Sequence, residues 1–371
     1  MLDTHLFSNL EMAERLSGIR AAMAEQGLQA LITQNQANIR YATGFKGEPH
    51  TLLLTAEEAT LYTSYRTLPW AQQQTSALAG SIELSIEAKP YDDIQKRLQG
   101  KPLQIALDQS ISHSALLPLQ EKFIPHSMQP SSVIELVRRT KSPAEIQIMQ
   151  ESQRINEEIF NAAVEQIRPG MSEREVQGIM LTEIATREEV DGYSFTPIVA
   201  AGGNAWEIHH LPDYTKIQAD DMLLLDLGVF YQGYASDMTR TICMGTATAH
   251  MQEIYQTVGR AQTAAIAAMR PGAQTHDIDE AARSIITDAG YGKTFTHGLG
   301  HSIGLETHDQ GLNLSPFTTN EILVPGMAFT VEPGIYLEGG FGVRTEDIVI
   351  ITEDGHRNIT TQSHDMTELH F

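Results

Sequence analysis

The chain has 371 residues, 41% of them hydrophobic, which is long enough for two domains with separate cores. Its 47 acidic against 25 basic residues give a formal net charge of −22, which excludes nucleic acid and anionic membranes as partners because both would repel such a surface. A single cysteine, Cys243, excludes an internal disulfide; with no secretory signal in MLDTHLFSNLEMAERL and no run near the ~18 apolar residues of a membrane span, the expectation is a soluble, cytoplasmic protein.

Residues 13 to 35 predict an amphipathic helix that stops at Gly27, followed by the apolar run LQALIT. Strand-like runs come next at HTLLLT (50–55), ATLYT (59–63) and LQIALD (103–108), with helical stretches between them. This alternation predicts an α/β domain over residues 1–135, without a catalytic cluster. Ser142, Pro143 and Glu145 then supply an N-cap, a proline at the first helical position and a capping-box acid. They open a long helix, and a second domain is expected over 136–371.

That domain contains an internal echo. EEIFNAAVEQIRPGMSEREV (157–176) overlays GRAQTAAIAAMRPGAQTHDI (259–278), each with a helix, an Arg-Pro-Gly breaker and a second helix. Each copy leads to a glycine-containing strand region with histidine, AAGGNAWEIHH (200–210) and THGLGHSIG (296–304). Two duplicated half-domains facing each other would place a site at their pseudo-two-fold axis.

MLLLDLGVFYQGYASDMTRTICMG (222–245) predicts a β-hairpin turning at Gln232-Gly233. A two-residue loop there pairs positions whose numbers sum to an odd value, so Asp226 and Asp237 share a face, opposite or diagonal. Their Cβ atoms would lie on the order of 4.5–8 Å apart. Two neighbouring carboxylates repel unless a cation lies between them. Taken singly, Asp226 could cap a turn and Asp237 could pair with Arg240.

HGLGHSIGLETHD (297–309) gives His297 and His301 the spacing of a zinc-protease helix. Gly298, Gly300 and Gly304 argue against a helix, at about 1 kcal/mol each relative to alanine. An extended segment is expected instead, with His297, Leu299, His301, Ile303 and Leu305 on one face and the glycines on the other, where another backbone can approach. By that parity His308 points away from His301 unless a turn intervenes. In GMAFTVEPGIYLEGGFGVRTEDIVIITEDG (326–355), Glu332 ends an apolar strand and Glu346 is expected inside the next, where an ionised acid is costly without a partner. Five candidate ligands result: Asp226, Asp237, His301, Glu332 and Glu346. Four carboxylates and one imidazole suit two divalent ions roughly 3.5 Å apart. Such hard donors point to Mn²⁺ first, with Co²⁺, Fe²⁺ or Zn²⁺ as alternatives.

The set DLGVFYQGYASDMTRT, HGLGHSIGLETHD, TVEPGIY and VRTEDIV resembles the pita-bread metallopeptidases, nearest the branch of prolidase, aminopeptidase P and creatinase. The resemblance runs from about residue 138 onward. The first domain is similar more loosely, through NIRYATGF (38–45), with Ser64 where aspartate is common. It implies an α+β fold: a C-terminal pita-bread of duplicated α/β half-domains around a curved antiparallel sheet, preceded by a smaller creatinase-like α/β domain. It also implies that Asp237 and Glu346 bridge two ions, that Asp226 binds one, and that His301 with Glu332 binds the other. Glu332 would be the proton shuttle as an activated water attacks the scissile carbonyl. His209 in NAWEIHHLP and His308 would be substrate-binding catalytic histidines, and His297 a lesser substrate contact. Arg344 is counted among the substrate contacts, and lying two residues before Glu346 on one strand face it is expected to brace that carboxylate. His210 faces opposite to His209 and is a poor ligand.

The implied activity is hydrolysis of the bond between an N-terminal residue and proline in a dipeptide or short peptide, by a homodimer whose first domain covers the partner's site. Ile208 stands where the family usually has proline, and Trp206 and Glu207 add bulk and charge. No Lys or Arg occurs from 294 to 343 to grip a dipeptide's carboxylate, which leaves aminopeptidase P and prolidase activities level. The rival readings are a creatinase-like hydrolase or lyase acting on a non-peptide small molecule, and a non-catalytic binding protein of the same fold.

Overall fold

The computed structural model describes residues 9–47, 50–78 and 80–371. The chain divides into two compact units between Arg138 and Arg139. In the first, six strands lie in the spatial order Glu83–Ser85, Ala59–Tyr62, Thr51–Thr55, Ala30–Thr33, Gln104–Asp108, Ser127–Ser131. Ala30–Thr33 runs antiparallel to Thr51–Thr55 and parallel to Gln104–Asp108. ALIT is buried at every residue, as a continuous apolar strand must be when both sheet faces are covered. Ile94, Leu98 and Phe123 pack with Ile32, Leu53 and Ile105 in its core. The strand runs read from sequence therefore appear, and the alternation makes an α/β unit.

The second unit opens as its N-cap chemistry dictates. Ser142 Oγ accepts from the Glu145 amide, and the Glu145 carboxylate accepts from the Ser142 amide, at the head of the helix Pro143–Val164. Two helix pairs follow the duplicated pattern: Pro143–Val164 with Glu173–Ala185, and Ala249–Ala268 with Thr275–Asp288. Both Arg-Pro-Gly breakers end on glycine in the left-handed region, Gly170 at φ 87° and Gly272 at φ 83°. Each glycine amide donates to a carbonyl on its own half, Ile217 at 2.8 Å and Leu323 at 2.9 Å. Each half has its own core. Ile155, Phe160, Val176, Met180 and Leu225 fill the first; Ile254, Val258, Ile278, Phe329 and Val349 fill the second. Among the described residues no helix is long and apolar enough to cross a membrane.

The strand Met222–Leu227 lies between Ile198–Ala201 and Met238–Met244, antiparallel to both. The hairpin turns at Gln232-Gly233, and its register sets Asp226 opposite Thr239. Asp237 is therefore the diagonal neighbour of Asp226. In the second half Ala328–Val331 pairs with Asp347–Ile351. Two local expectations need correction. Glu346 is not inside a strand: it falls between Gly342–Arg344 and Asp347–Ile351, where the chain changes partner and the Glu346 amide donates to the Thr239 carbonyl at 3.1 Å. The extended segment at 297–305 contributes only a two-residue strand, Gly300–His301.

Candidate metal centre and active site

A cavity of about 810 Å³ in the second unit is lined by Asp226, Asp237, His301, Glu332 and Glu346, together with His209, His297, His308 and Arg344. All nine residues singled out from the sequence reach it. The two aspartates come from the central hairpin. Glu332 follows the strand Ala328–Val331, and Glu346 comes from the junction described above.

Glycine sets the depth of His301. A Cβ on Gly300 would sit 2.0 Å from the Thr330 carbonyl oxygen, so only glycine allows this approach. The His301 amide donates to Thr330 Oγ1 at 3.0 Å, and that hydroxyl donates to Glu332 Oε1 at 3.3 Å. His301 Nδ1 lies 3.1 Å from the Ser302 carbonyl, so Nδ1 carries the proton and donates to it. Nε2 is then a lone pair, 3.5 Å from Glu332 Oε1 and 3.7 Å from Asp237 Oδ2. Burial, reinforced by His308, pushes the His301 pKa down to about 3, so the ring is neutral and ready to ligate.

The carboxylates test whether a cation fits. Asp237, His301 and Glu346 offer donor atoms within 4.8 Å of one another. Burial, with the neighbouring acids adding to it, holds Asp237 and Glu346 well above the ordinary carboxyl range. Burial raises Asp226 as well and takes Glu332 to about 7. Asp226 Oδ1 is buried without a hydrogen-bond partner. Packed acids and an orphaned oxygen are what divalent cations satisfy, and hard donors with one imidazole suit them. The residues fit.

Arg344 differs from expectation in its main contact. Its Nη2 donates to Asp226 Oδ2 at 2.6 Å, not to Glu346. Glu346 is reached through Thr239, whose hydroxyl accepts from Arg344 Nε at 2.9 Å and donates to Glu346 Oε2 at 2.7 Å. The reason is the register, which puts Thr239 directly across from Asp226 and beside both groups. Arg240, the alternative partner read for Asp237, instead binds Asp347 at 2.8 Å.

His308 is brought back to His301 by the intervening turn: the ring centroids are 4.1 Å apart, edge to face. The Gly304 amide donates to the Glu306 carbonyl and the Asp309 amide to the Ser302 carbonyl. A buried Lys141–Asp309 ion pair at 3.4 Å pins this loop. Burial first, and His209 second, lowers the His308 pKa. His297 donates from Nδ1 to the Gly298 carbonyl at 2.7 Å and accepts at Nε2 from Tyr336 OH at 3.0 Å. Both of its nitrogens are therefore engaged within the protein. Three contributors escaped the sequence reading: Thr239, Tyr336 and Lys141. None left a signal: Thr239 and Tyr336 are neutral, and Lys141 is far from the centre in sequence.

Comparison with known proteins agrees with this geometry. Residues 147–353 match metallopeptidase family M24, and residues 15–140 match the creatinase/prolidase N-terminal domain. The chain is 33% identical over 347 residues to a Xaa-Pro dipeptidase of Lactobacillus helveticus, across 90% of this chain and 92% of that one. It is similar in structure to a Xaa-Pro dipeptidase from Bacillus anthracis, with a TM-score of 0.89, 31% identity, and coverage of 96% of this chain and 100% of that one. An X-Pro aminopeptidase from Thermotoga maritima is similar too, with a TM-score of 0.87, 29% identity, and coverage of 95% and 99%. The pita-bread catalytic unit and its creatinase-like companion are thus both present, and the chain belongs to metallopeptidase family M24.

Proposed function

We propose that this chain is a dinuclear Xaa-Pro peptidase, hydrolysing the bond between an N-terminal residue and proline in a dipeptide or short peptide. One observation supports the reading above the others: a single cavity is lined by four carboxylates, His301, and His209 and His308, whose ring nitrogens make no hydrogen bond among the described residues. Asp237 and Glu346 would be shared between two ions, Asp226 would serve one, and His301 with Glu332 the other. Divalent ions, when bound, supply Lewis-acid activation of the scissile carbonyl and a water made acidic enough to attack it. Glu332, at the edge of the carboxylate cluster, takes the proton released at the attacking water and returns it to the leaving proline nitrogen. His209 and His308 donate to the carbonyl oxygen as negative charge develops there. His297 lines the wall beside them, held there by Tyr336. Arg344 holds Asp226 in place.

Manganese as the working metal, a homodimer and a cytoplasmic location belong to the same proposal. Hard oxygen donors support the first, and the lone buried thiol of Cys243 suits a reducing compartment. The test is a panel of Xaa-Pro dipeptides and Xaa-Pro-Yaa peptides with added Mn²⁺. Ala-Pro or Ala-Pro-Ala should be cut before proline, with Ala-Ala far slower. No turnover with either Mn²⁺ or Co²⁺ would overturn the peptidase reading in favour of small-molecule hydrolysis. Light scattering that gives a monomer at micromolar concentrations would remove the dimer.

A further inference from the structure

His209 lines the cavity, yet its side chain makes no hydrogen bond among the described residues. It follows the short turn Gly202–Trp206 and lies outside any regular element. Something else must fix it. On one side the Ile208 carbonyl accepts from Arg344 Nη1 at 3.4 Å. On the other side stands His210, a buried residue whose ring points away from the cavity into a cluster of acids.

Glu173, the first residue of the helix Glu173–Ala185, is fully buried beneath this segment. Its Oε1 accepts from the Ala201 amide at 2.8 Å and Asn204 Nδ2 at 3.0 Å. Its Oε2 accepts from His210 Nε2 at 2.8 Å and the Asp213 amide at 3.0 Å. His210 Nδ1 lies 2.9 Å from Glu207 Oε2. Both ring nitrogens thus face carboxylates and must both carry protons. Burial works against the charged ring, but the two carboxylates outweigh it and hold its pKa above the ordinary value. Asp213 is the third acid near the ring, and its Oδ1 is taken by the Thr215 amide at 2.6 Å.

Glu173, His210 and Asp213 are close enough together to suggest a second cation site. The donors argue otherwise. Glu173 already accepts four hydrogen bonds, which fills the lone pairs of both its oxygens. A charged imidazole in the middle does the work a cation would do.

We propose that His210, clamped as an imidazolium between Glu173 and Glu207, is a positioning residue that holds His209 at the wall of the catalytic cavity. The proposal rests on His209 acting on the substrate. His209 and His210 are consecutive in a turn that the His210 amide closes on the Glu207 carbonyl at 3.1 Å, so anchoring the His210 ring fixes the turn and with it the reach of the His209 side chain. Glu173 extends the anchor to residues 201, 204 and 213, tying the whole segment to one helix end.

The experiment is a double-mutant cycle. Glu173→Gln and His210→Ala are each made alone and in a His209→Ala background, with kcat, KM and bound metal measured on an Xaa-Pro peptide. In the wild-type background each should lower kcat roughly 10- to 100-fold, the scale for a catalytic group displaced by about 1 Å. Metal content should be unchanged, and in the His209→Ala background the further loss should nearly vanish. Equal losses in both backgrounds, or lost metal, would overturn the proposal. Glu207→Gln changes an exposed side chain and repeats the cycle should the buried variants fail to fold. A second readout needs no activity: histidine ring nitrogen NMR of protein at two equivalents of zinc. It should give two N–H protons on His210 at neutral pH and a displaced His209 signal in Glu207→Gln. A singly protonated His210, or a further zinc ion bound by the native chain and lost in His210→Ala, would refute the clamp. If no proline peptide is turned over, the functional reading fails while the NMR still decides the clamp.

Discussion

Arg344 grips Asp226 Oδ2 at 2.6 Å while Oδ1 of the same carboxylate, equally buried, has no hydrogen-bond partner. The guanidinium therefore orients the acid and leaves one oxygen for something else. Lysine could not copy this, because Arg344 also reaches Thr239 and Tyr336 from its other nitrogens. Arg344→Lys should weaken metal binding or activity roughly 10- to 100-fold, the usual cost of losing such a support. Metal titration of the variant checks it; native affinity together with native kcat would disprove the role.

Metal content tests the shared ligands. Reconstituted with Mn²⁺, the native protein should approach two ions per chain by elemental analysis. Asp237→Ala or Glu346→Ala should lose both, since each removes a group that would serve the two ions together. Two tightly bound ions in either variant would sink the dinuclear assignment.

The acids also predict how pH and metal interact. A carboxyl whose pKa is raised on folding contributes stability that is complete below its unfolded value, about 4.3 for Glu, and lost as pH rises through its folded value. Glu332, raised to about 7, and Asp237 and Glu346, also raised by burial and by their neighbouring acids, all carry this sign. Above that window the metal-free centre holds uncompensated negative charge. The gain in Tm on adding divalent metal should accordingly grow from about pH 5 to about pH 8. Calorimetry with and without chelator measures it, and a gain that shrinks over that range would contradict the centre.

His308→Ala and His209→Ala should keep their metal and lose about 10²–10³ in kcat, the effect of removing one preorganised donor from a developing oxyanion. Glu332→Gln should be worse, because a proton acceptor and a ligand charge disappear together. Unaltered kcat in both histidine variants would show that neither touches the reacting carbonyl.

Gly300→Ala tests the packing beneath the centre. Its Cβ would meet the Thr330 carbonyl at 2.0 Å, so the backbone must move. A loss of at least about 1–3 kcal/mol is expected, the range for overpacking, together with weakened metal binding through His301. Thermal denaturation at fixed metal concentration decides it, and a native Tm would mean that the strand yields freely.

What could be read from sequence followed periodicity. ALIT became a strand buried throughout, LQIALD one buried at Ile105, Ala106 and Leu107, and the parity of the hairpin already put Asp226 and Asp237 on one face. Charge helped too, since acids among apolar residues announce their need for a partner. Neutral residues gave no such notice: Thr239 and Tyr336 cost little to bury, so their part in holding Arg344 emerged only in three dimensions. VRTEDIVII reads as one strand because nothing in it marks the change of partner at Glu346. The turn that returns His308 lacks proline, and its stop is the ion pair from Lys141, far away in sequence.

The division of the centre between two duplicated halves has a consequence for the protein's birth. Asp226 and Asp237 leave the ribosome long before Glu332 and Glu346, and the first half can collapse on its own core of Ile155, Val176 and Leu225 meanwhile. The strand Met238–Met244, which begins next to Asp237, still waits for Glu368–Leu369 to pair alongside it. Two acids on a half-built hairpin are too few donors to hold a divalent ion firmly. Metal loading is therefore expected to follow synthesis of the second half, which brings His301, Glu332 and Glu346.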